Sequence, residues 1–133
     1  MIGIIVAGHG NFASGITSML ELVVGKPESY EYIDFLQGES QEALENDFRE
    51  KLNNLKDCEK IVIMTDITGC SPFKSAVTYA VSDDRLNVIS GTNVPMLVEL
   101  IFRRMNSDDS EDLIQSSMDA GKEQIVRFHK DML

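Results

Sequence analysis

The sequence predicts an α/β protein: a mostly parallel four-stranded sheet flanked by helices. Three observations carry that expectation. Four short apolar runs alternate with stretches in which apolar residues recur at helical spacing. The first and third runs, at Ile2–Ala7 and Ile61–Met64, are continuously apolar, as strands buried on both faces are. Glycine, proline or capping residues stand at nearly every junction. Such alternation gives a parallel sheet joined by right-handed crossovers, with helices on both faces.

The elements follow in order. Ile2 to Ala7 reads as the first strand, bounded by Gly8. Phe12, Ile16, Leu20 and Val23 mark one face of a helix that ends near Gly25-Lys26-Pro27. Tyr30 to Phe35 is the second strand. Ser40 is placed to cap the next helix, with Glu42 in its first turn and a stripe of Leu44, Phe48, Leu52 and Leu55. Lys60 to Thr65 is the third strand. Phe73, Val77, Ala80 and Val81 predict a helix reaching about Asp83, and Leu86 to Ser90 is the fourth strand. Gly91-Thr92-Asn93 is a turn, and Pro95 suits the first turn of a helix carrying Met96, Leu97, Leu100 and Ile101. Acidic residues Asp108, Asp109, Glu111 and Asp112 suit the N-terminus of a last helix with Leu113, Ile114 and Met118. The tail from Lys122 to Leu133 is ambiguous, since QIVRF fits a short strand or a frayed helix end.

Nothing along the 133 residues resembles a linker, a repeat or a low-complexity segment, so residues 1–133 read as one domain. The balance is acidic: 22 Asp plus Glu against 12 Lys plus Arg, a net charge of −10. That argues against nucleic acid and against direct membrane binding, both of which want a basic surface. It suits docking to a protein with a basic face. Cys58 and Cys70 lack metal-type spacing and imply a reducing compartment. No basic leader precedes the first apolar run, which is too short to span a bilayer; the expected location is cytoplasmic.

Strand order 2-1-3-4 puts the topological switch point between strands one and three, where ligands bind beyond the strand ends. His9 follows the first strand and Asp66 the third, so the topology brings them together. Two chemistries compete for the turn AGHGNFA. Gly8, Gly10 and Ala13 fit a G-x-G-x-x-A dinucleotide fingerprint, with Asp34 ending the second strand where a ribose-binding acid belongs. Against it, four strands leave no second half for a nicotinamide, and an imidazole between the glycines crowds the pyrophosphate. The other reading makes His9 a nucleophile whose second ring nitrogen is held by Asp66. Ser71-Pro72 then reads as an N-cap and first helical residue. Backbone N–H groups at Gly69, Cys70 and Ser71, with the first helix N-terminus after Gly10 and Asn11, would receive an anion. Neither histidine, His9 or His129, has a metal-ligand partner at helical or turn spacing, so no metal is expected. Phe73 stands where a nucleophile elbow needs its last glycine. Cys70 fits either a reactive thiol near a helix end or a small, partly buried side chain.

Four segments together resemble the IIA component of the mannose-type (mannose/fructose/sorbose) bacterial phosphoenolpyruvate-dependent sugar phosphotransferase system (PTS). They are Ile4–Gly10, Tyr32–Phe35, Thr65–Phe73 and Ser90–Leu100, spread over essentially the whole chain. The resemblance implies a phosphoryl carrier without cofactor. His9 corresponds to the phosphorylated histidine, Asp66 to the acid that hydrogen-bonds it, and Ser71 to the loop serine that helps hold the phosphoryl group. It implies the phosphocarrier protein HPr as donor and a separate IIB component as acceptor, with membrane contact only indirect, through the sugar permease. It also implies a homodimer exchanging a C-terminal strand, expected at Gln124–Phe128. The family's loop often reads G-G-S-P; Cys70 replaces the second glycine here. Related domains occur in sugar-operon regulators and in the dihydroxyacetone system, so a regulatory module is the alternative within the same resemblance.

Overall fold

The computed structural model describes residues 1–133. Its strands are β1 (Gly3–His9), β2 (Tyr30–Phe35), β3 (Ile61–Thr65) and β4 (Leu86–Ile89). Its helices are α1 (Phe12–Val24), α2 (Gln41–Asn54), α3 (Ser71–Ala80), α4 (Val94–Arg103) and α5 (Ser110–Glu123), followed by a 3-10 turn at Lys130–Met132. The sheet order is β2-β1-β3-β4 and every pairing is parallel. The predicted class and order are therefore those observed.

The continuous apolar strands follow from a core on both faces. Ile4 and Val6 of β1, with Val62 and Met64 of β3, face α1, α4 and α5, where Leu20, Leu97, Leu100 and Leu113 are buried. The alternate residues Ile5, Ala7, Ile61 and Ile63 face α2 and α3 and pack on Leu44, Phe48 and Ala76. Each added residue in a strand changes face, so a polar residue anywhere in the middle of β1 or β3 would lie in one core or the other.

Helix ends follow the capping chemistry. Ser40 Oγ accepts from Ala43 N–H at 3.0 Å. Asn93 Oδ1 accepts from Met96 N–H at 3.2 Å, and Asp109 Oδ1 from Asp112 N–H at 3.2 Å. Gly25 closes α1 at φ 78, a conformation glycine adopts without steric cost.

Several boundaries differ from expectation. β1 runs two residues beyond Ala7, because Gly8 and His9 stay in register with Asp34 and Phe35 of β2. His9 therefore ends a strand instead of sitting in a turn. α3 stops at Ala80, and Val81, expected on its buried face, is 81% exposed. Val23 is likewise exposed; Ala13, Ile16, Thr17 and Leu20 form the buried face of α1. Gln124 to Phe128, expected as a strand, pairs with none here: α5 ends at Glu123, and Ile125 to His129 has no regular structure and is exposed. No helix is long and apolar enough to cross a membrane.

Arg104, the residue after α4, ties down the opposite pole of the sheet. It is only 4% exposed. Its guanidinium donates to the carbonyls of Ile2 at 2.9 Å, Ser29 at 3.2 Å and Glu28. Burial lowers its pKa, yet the guanidinium keeps its charge, which strengthens each bond to the chain ends entering β1 and β2. Replacing Arg104 with methionine keeps much of the volume but takes these donors away and leaves the carbonyl of buried Ile2 without them, while the Ser29 carbonyl keeps the Ile4 N–H at 3.0 Å. The expected loss is about 2–4 kcal/mol of stability, read as a lower urea midpoint at unchanged m-value.

Candidate functional site

At the carboxyl ends of the central strands, β1 delivers His9 and the loop after β3 delivers Asp66. The Asp66 carboxylate accepts three hydrogen bonds. Its Oδ2 takes the His9 backbone N–H at 2.8 Å and faces His9 Nδ1 at 2.7 Å, while Oδ1 takes the Ile67 N–H at 2.8 Å. The Asp66 side chain is 11% exposed and the His9 ring 42%. Burial alone would raise the Asp66 pKa; the bonds from His9 and Ile67 outweigh it and hold the carboxyl below its ordinary value. An ionised acceptor at Nδ1 requires a proton on that nitrogen. In the neutral ring, Nε2 then carries the free lone pair. Phe35 flanks the imidazole edge-on, with centroids 6.1 Å apart.

Gly8 is needed for this contact. A Cβ there would lie 2.5 Å from the Phe12 ring and 3.1 Å from the Asp66 carboxyl carbon. A side chain there would have to displace the Phe12 ring and would crowd the carboxylate beside His9. Gly10 makes the turn into α1 at φ 55, and its N–H is taken by the Phe35 carbonyl at 2.8 Å.

Two helix N-termini open onto this end of the sheet. Before α1, the N–H groups of Asn11, Phe12 and Ala13 have no acceptor within the chain. Before α3, Gly69 at φ 84 reverses the chain, and the Gly69 and Ser71 N–H groups are free. The Cys70 N–H, expected to be free as well, donates to the Ile67 carbonyl at 3.3 Å. The expected cap is also shifted by one residue. Cys70 is the extended N-cap, without a side-chain capping bond, and Ser71 is the first helical residue with Pro72 second. The reason is that the Cys70 carbonyl already accepts the Lys74 N–H at 2.9 Å. The Ser71 hydroxyl makes no hydrogen bond within the chain.

The residues of the dinucleotide fingerprint serve other ends. The Phe12 ring covers the face of Gly8. Asp34 accepts the Ser14 N–H at 2.9 Å and is not a free acid at the strand end. No three His, Cys, Asp or Glu side chains converge so as to hold a metal ion.

The loop after β4 braces the Asp66 loop. Gly91 N–H donates to the Asp66 carbonyl at 2.9 Å, Thr92 N–H to the Thr65 carbonyl at 3.1 Å, and the hydroxyls of Thr68 and Ser90 meet at 2.5 Å. Sequence reasoning treated Ser90 and Gly91 as a strand end and a turn. Their register beside β3 is the signal that would have assigned them this role.

Comparison with known proteins yields a consistent set. The family model described as "PTS system fructose IIA component" matches residues 3–118. The chain is similar to the mannose-specific EIIAB component of the PTS in Escherichia coli strain K12, at 30% identity over 122 residues. That alignment takes in 92% of this chain but only 38% of the relative's length. It is similar to the fructose-specific EIIA component of Bacillus subtilis strain 168, at 25% identity over 78% of this chain and 71% of that one. The crystal structure of the phosphotransferase system component EIIA from Streptococcus agalactiae superposes with a TM-score of 0.88 at 32% identity, over 96% of this chain and 98% of that one.

The Asp66 contacts make a prediction about stability. A carboxyl with a lowered folded pKa stabilises the fold fully above its unfolded value, about 3.9, and loses that contribution as pH falls through the lower folded value. Asp66→Asn should therefore cost stability at pH 7, and the gap to wild type should narrow below about pH 4. Urea denaturation of both proteins from pH 7 to pH 3 measures it; a gap independent of pH would contradict the assignment.

Proposed function

This chain belongs to the PTS fructose/mannose-type IIA family, and we propose that within it His9 accepts a phosphoryl group from phospho-HPr and passes it to a IIB component during sugar uptake. IIA components are phosphotransfer proteins, so a transferase role follows from membership. The finer assignment rests on one observation above all: the 2.7 Å contact between Asp66 and His9 Nδ1, which leaves Nε2 as the nucleophilic nitrogen.

The step balances without a cofactor. The Nε2 lone pair attacks phosphorus in line, a new N–P bond forms, and the bond to the donor histidine breaks. The proton on Nδ1 stays where it is. Positive charge develops on the ring as the new bond forms, and the adjacent Asp66 carboxylate stabilises it. The phosphoryl oxygens gain N–H donors at the two helix ends, with Asn11 before α1 and Gly69 and Ser71 before α3. Gly10 contributes the turn, and Cys70 contributes the cap geometry of α3. Residues 1–133 act as one phosphotransfer domain in the cytoplasm.

The experiment is incubation with the general phosphotransferase enzyme, HPr and phosphoenolpyruvate, followed by intact mass. The wild-type chain should gain one acid-labile phosphate and His9→Ala none; labelling of the mutant would sink the assignment. Asp66→Asn should transfer at least about tenfold more slowly. Onward transfer to a IIB component distinguishes a transport carrier from a regulatory module, which would keep the label.

The expected dimer has support in two features. β4 ends the sheet with its outer edge unpaired beside a groove lined by Val88, Met96, Met118 and Ile125. The tail exposes Ile125, Val126 and Phe128. A tail strand from a second copy would fill that edge. Sedimentation velocity should give the mass of two chains; a single-chain mass at micromolar concentration would refute it.

A further inference from the structure

Asp34 ends the side-chain alternation of β2 on the α1 face, opposite Gly8 in the parallel register. Its Oδ1 accepts the Ser14 N–H at 2.9 Å, in a part-buried setting. Ser14 is the third residue of α1. Helices commonly close that N–H with the side chain of the N-cap residue. Here the N-cap is Asn11, which makes no such bond. The acceptor comes instead from another strand, twenty residues away in sequence.

This placement has a mechanical consequence. Only Gly10 and Asn11 separate His9 from α1. The first turn of α1 also carries Phe12, whose ring lies against Gly8. With the Ser14 N–H closed by Asp34, the N–H groups of Asn11, Phe12 and Ala13 are the ones left without acceptors.

We propose that Asp34 is a positioning residue for phosphoryl transfer at His9. By holding the Ser14 N–H it fixes the first turn of α1, so that the N–H groups of Asn11 and Phe12 meet the phosphoryl oxygens. This rests on the phosphocarrier reading above. The role is one of geometry. A carboxylate charge beside the same helix end does nothing to attract an anion, so a neutral acceptor of the same shape serves as well.

The test compares Asp34→Ala, which removes the acceptor, with Asp34→Asn, which keeps an oxygen in place and removes the charge. Initial rates of phosphorylation by phospho-HPr are measured against donor concentration. Each is normalised to the end-point of labelling, so that lost folded protein does not count. Asp34→Ala should lower the maximal rate about tenfold with the donor KM unchanged, and Asp34→Asn should stay within about twofold of wild type. A wild-type rate in Asp34→Ala overturns the proposal, and so does an Asp34→Asn rate as low as that of Asp34→Ala. Should Asp34→Ala not fold, the wild-type amide spectrum decides. On phosphorylation the N–H signals of Asn11 and Phe12 should move strongly and that of Ser14 should not; the reverse pattern overturns it. A wild-type chain that takes no label removes the phosphocarrier reading and this inference together. A labelled wild type with an unaffected Asp34→Ala removes this inference alone.

Discussion

The Asp66 carboxylate is the constraint on which the rest of the site depends. It collects the His9 backbone N–H, the His9 ring and the Ile67 N–H within 2.7 to 2.8 Å. Those bonds join the ends of β1 and β3, two strands far apart in sequence and adjacent in the sheet. Holding a carboxylate this close to a strand end demands a neighbour without a Cβ, and Gly8 is that neighbour. It demands a loop that does not wander, and the hydrogen bonds from Gly91 and Thr92 hold that loop against β4. The protein thereby fixes the tautomer of one half-exposed imidazole with a single carboxylate that backbone hydrogen bonds hold in place.

Much of this was legible in the sequence. Continuous apolar runs at β1 and β3 can only be strands covered on both faces, and that forces helices onto both sides. The alternation then fixes the class, and the 2-1-3-4 order fixes which loops meet. His9 and Asp66 were readable as a pair for that reason. Local capping chemistry was equally legible where one side chain decides it, as at Ser40, where the hydroxyl needs only the N–H three residues ahead.

What escaped reading depends on distant partners. The single cap of α1 lies on β2, so no window around Asn11 reveals it, and Asp34 looked like a ribose acceptor instead. Gly8 fitted a dinucleotide fingerprint, whereas Phe12 and Asp66 crowd the place that a Cβ there would take. The cap before α3 was placed one residue late, at Ser71, because serine before proline is a strong local signal. Periodicity also overshot at Val23 and Val81: the helical pattern continues past the residues that face a core. The tail is the same problem in its extreme form. QIVRF has the composition of a strand, yet within one chain it pairs with neither open edge of the sheet.

The donor set explains how such a site suits a carrier better than a tight binder. Asp66 pairs with no lysine or arginine; its one ionisable partner is the histidine itself. Free N–H groups at two helix ends offer neutral hydrogen bonds and a partial positive charge, a modest attraction for an anion. An arginine fork would bind a phosphoryl group bidentately and more strongly. For an enzyme that holds its substrate through a slow chemical step, that strength is useful. For a protein that must surrender the group to its next partner, it would trap the intermediate. With a net charge of −10 on the whole chain, the field around the site also opposes long residence of another anion, while favouring encounter with a partner of basic face. On the proposed phosphocarrier reading, the acidic surface and the uncharged N–H donors act in the same direction: both would keep a phosphoryl group in transit.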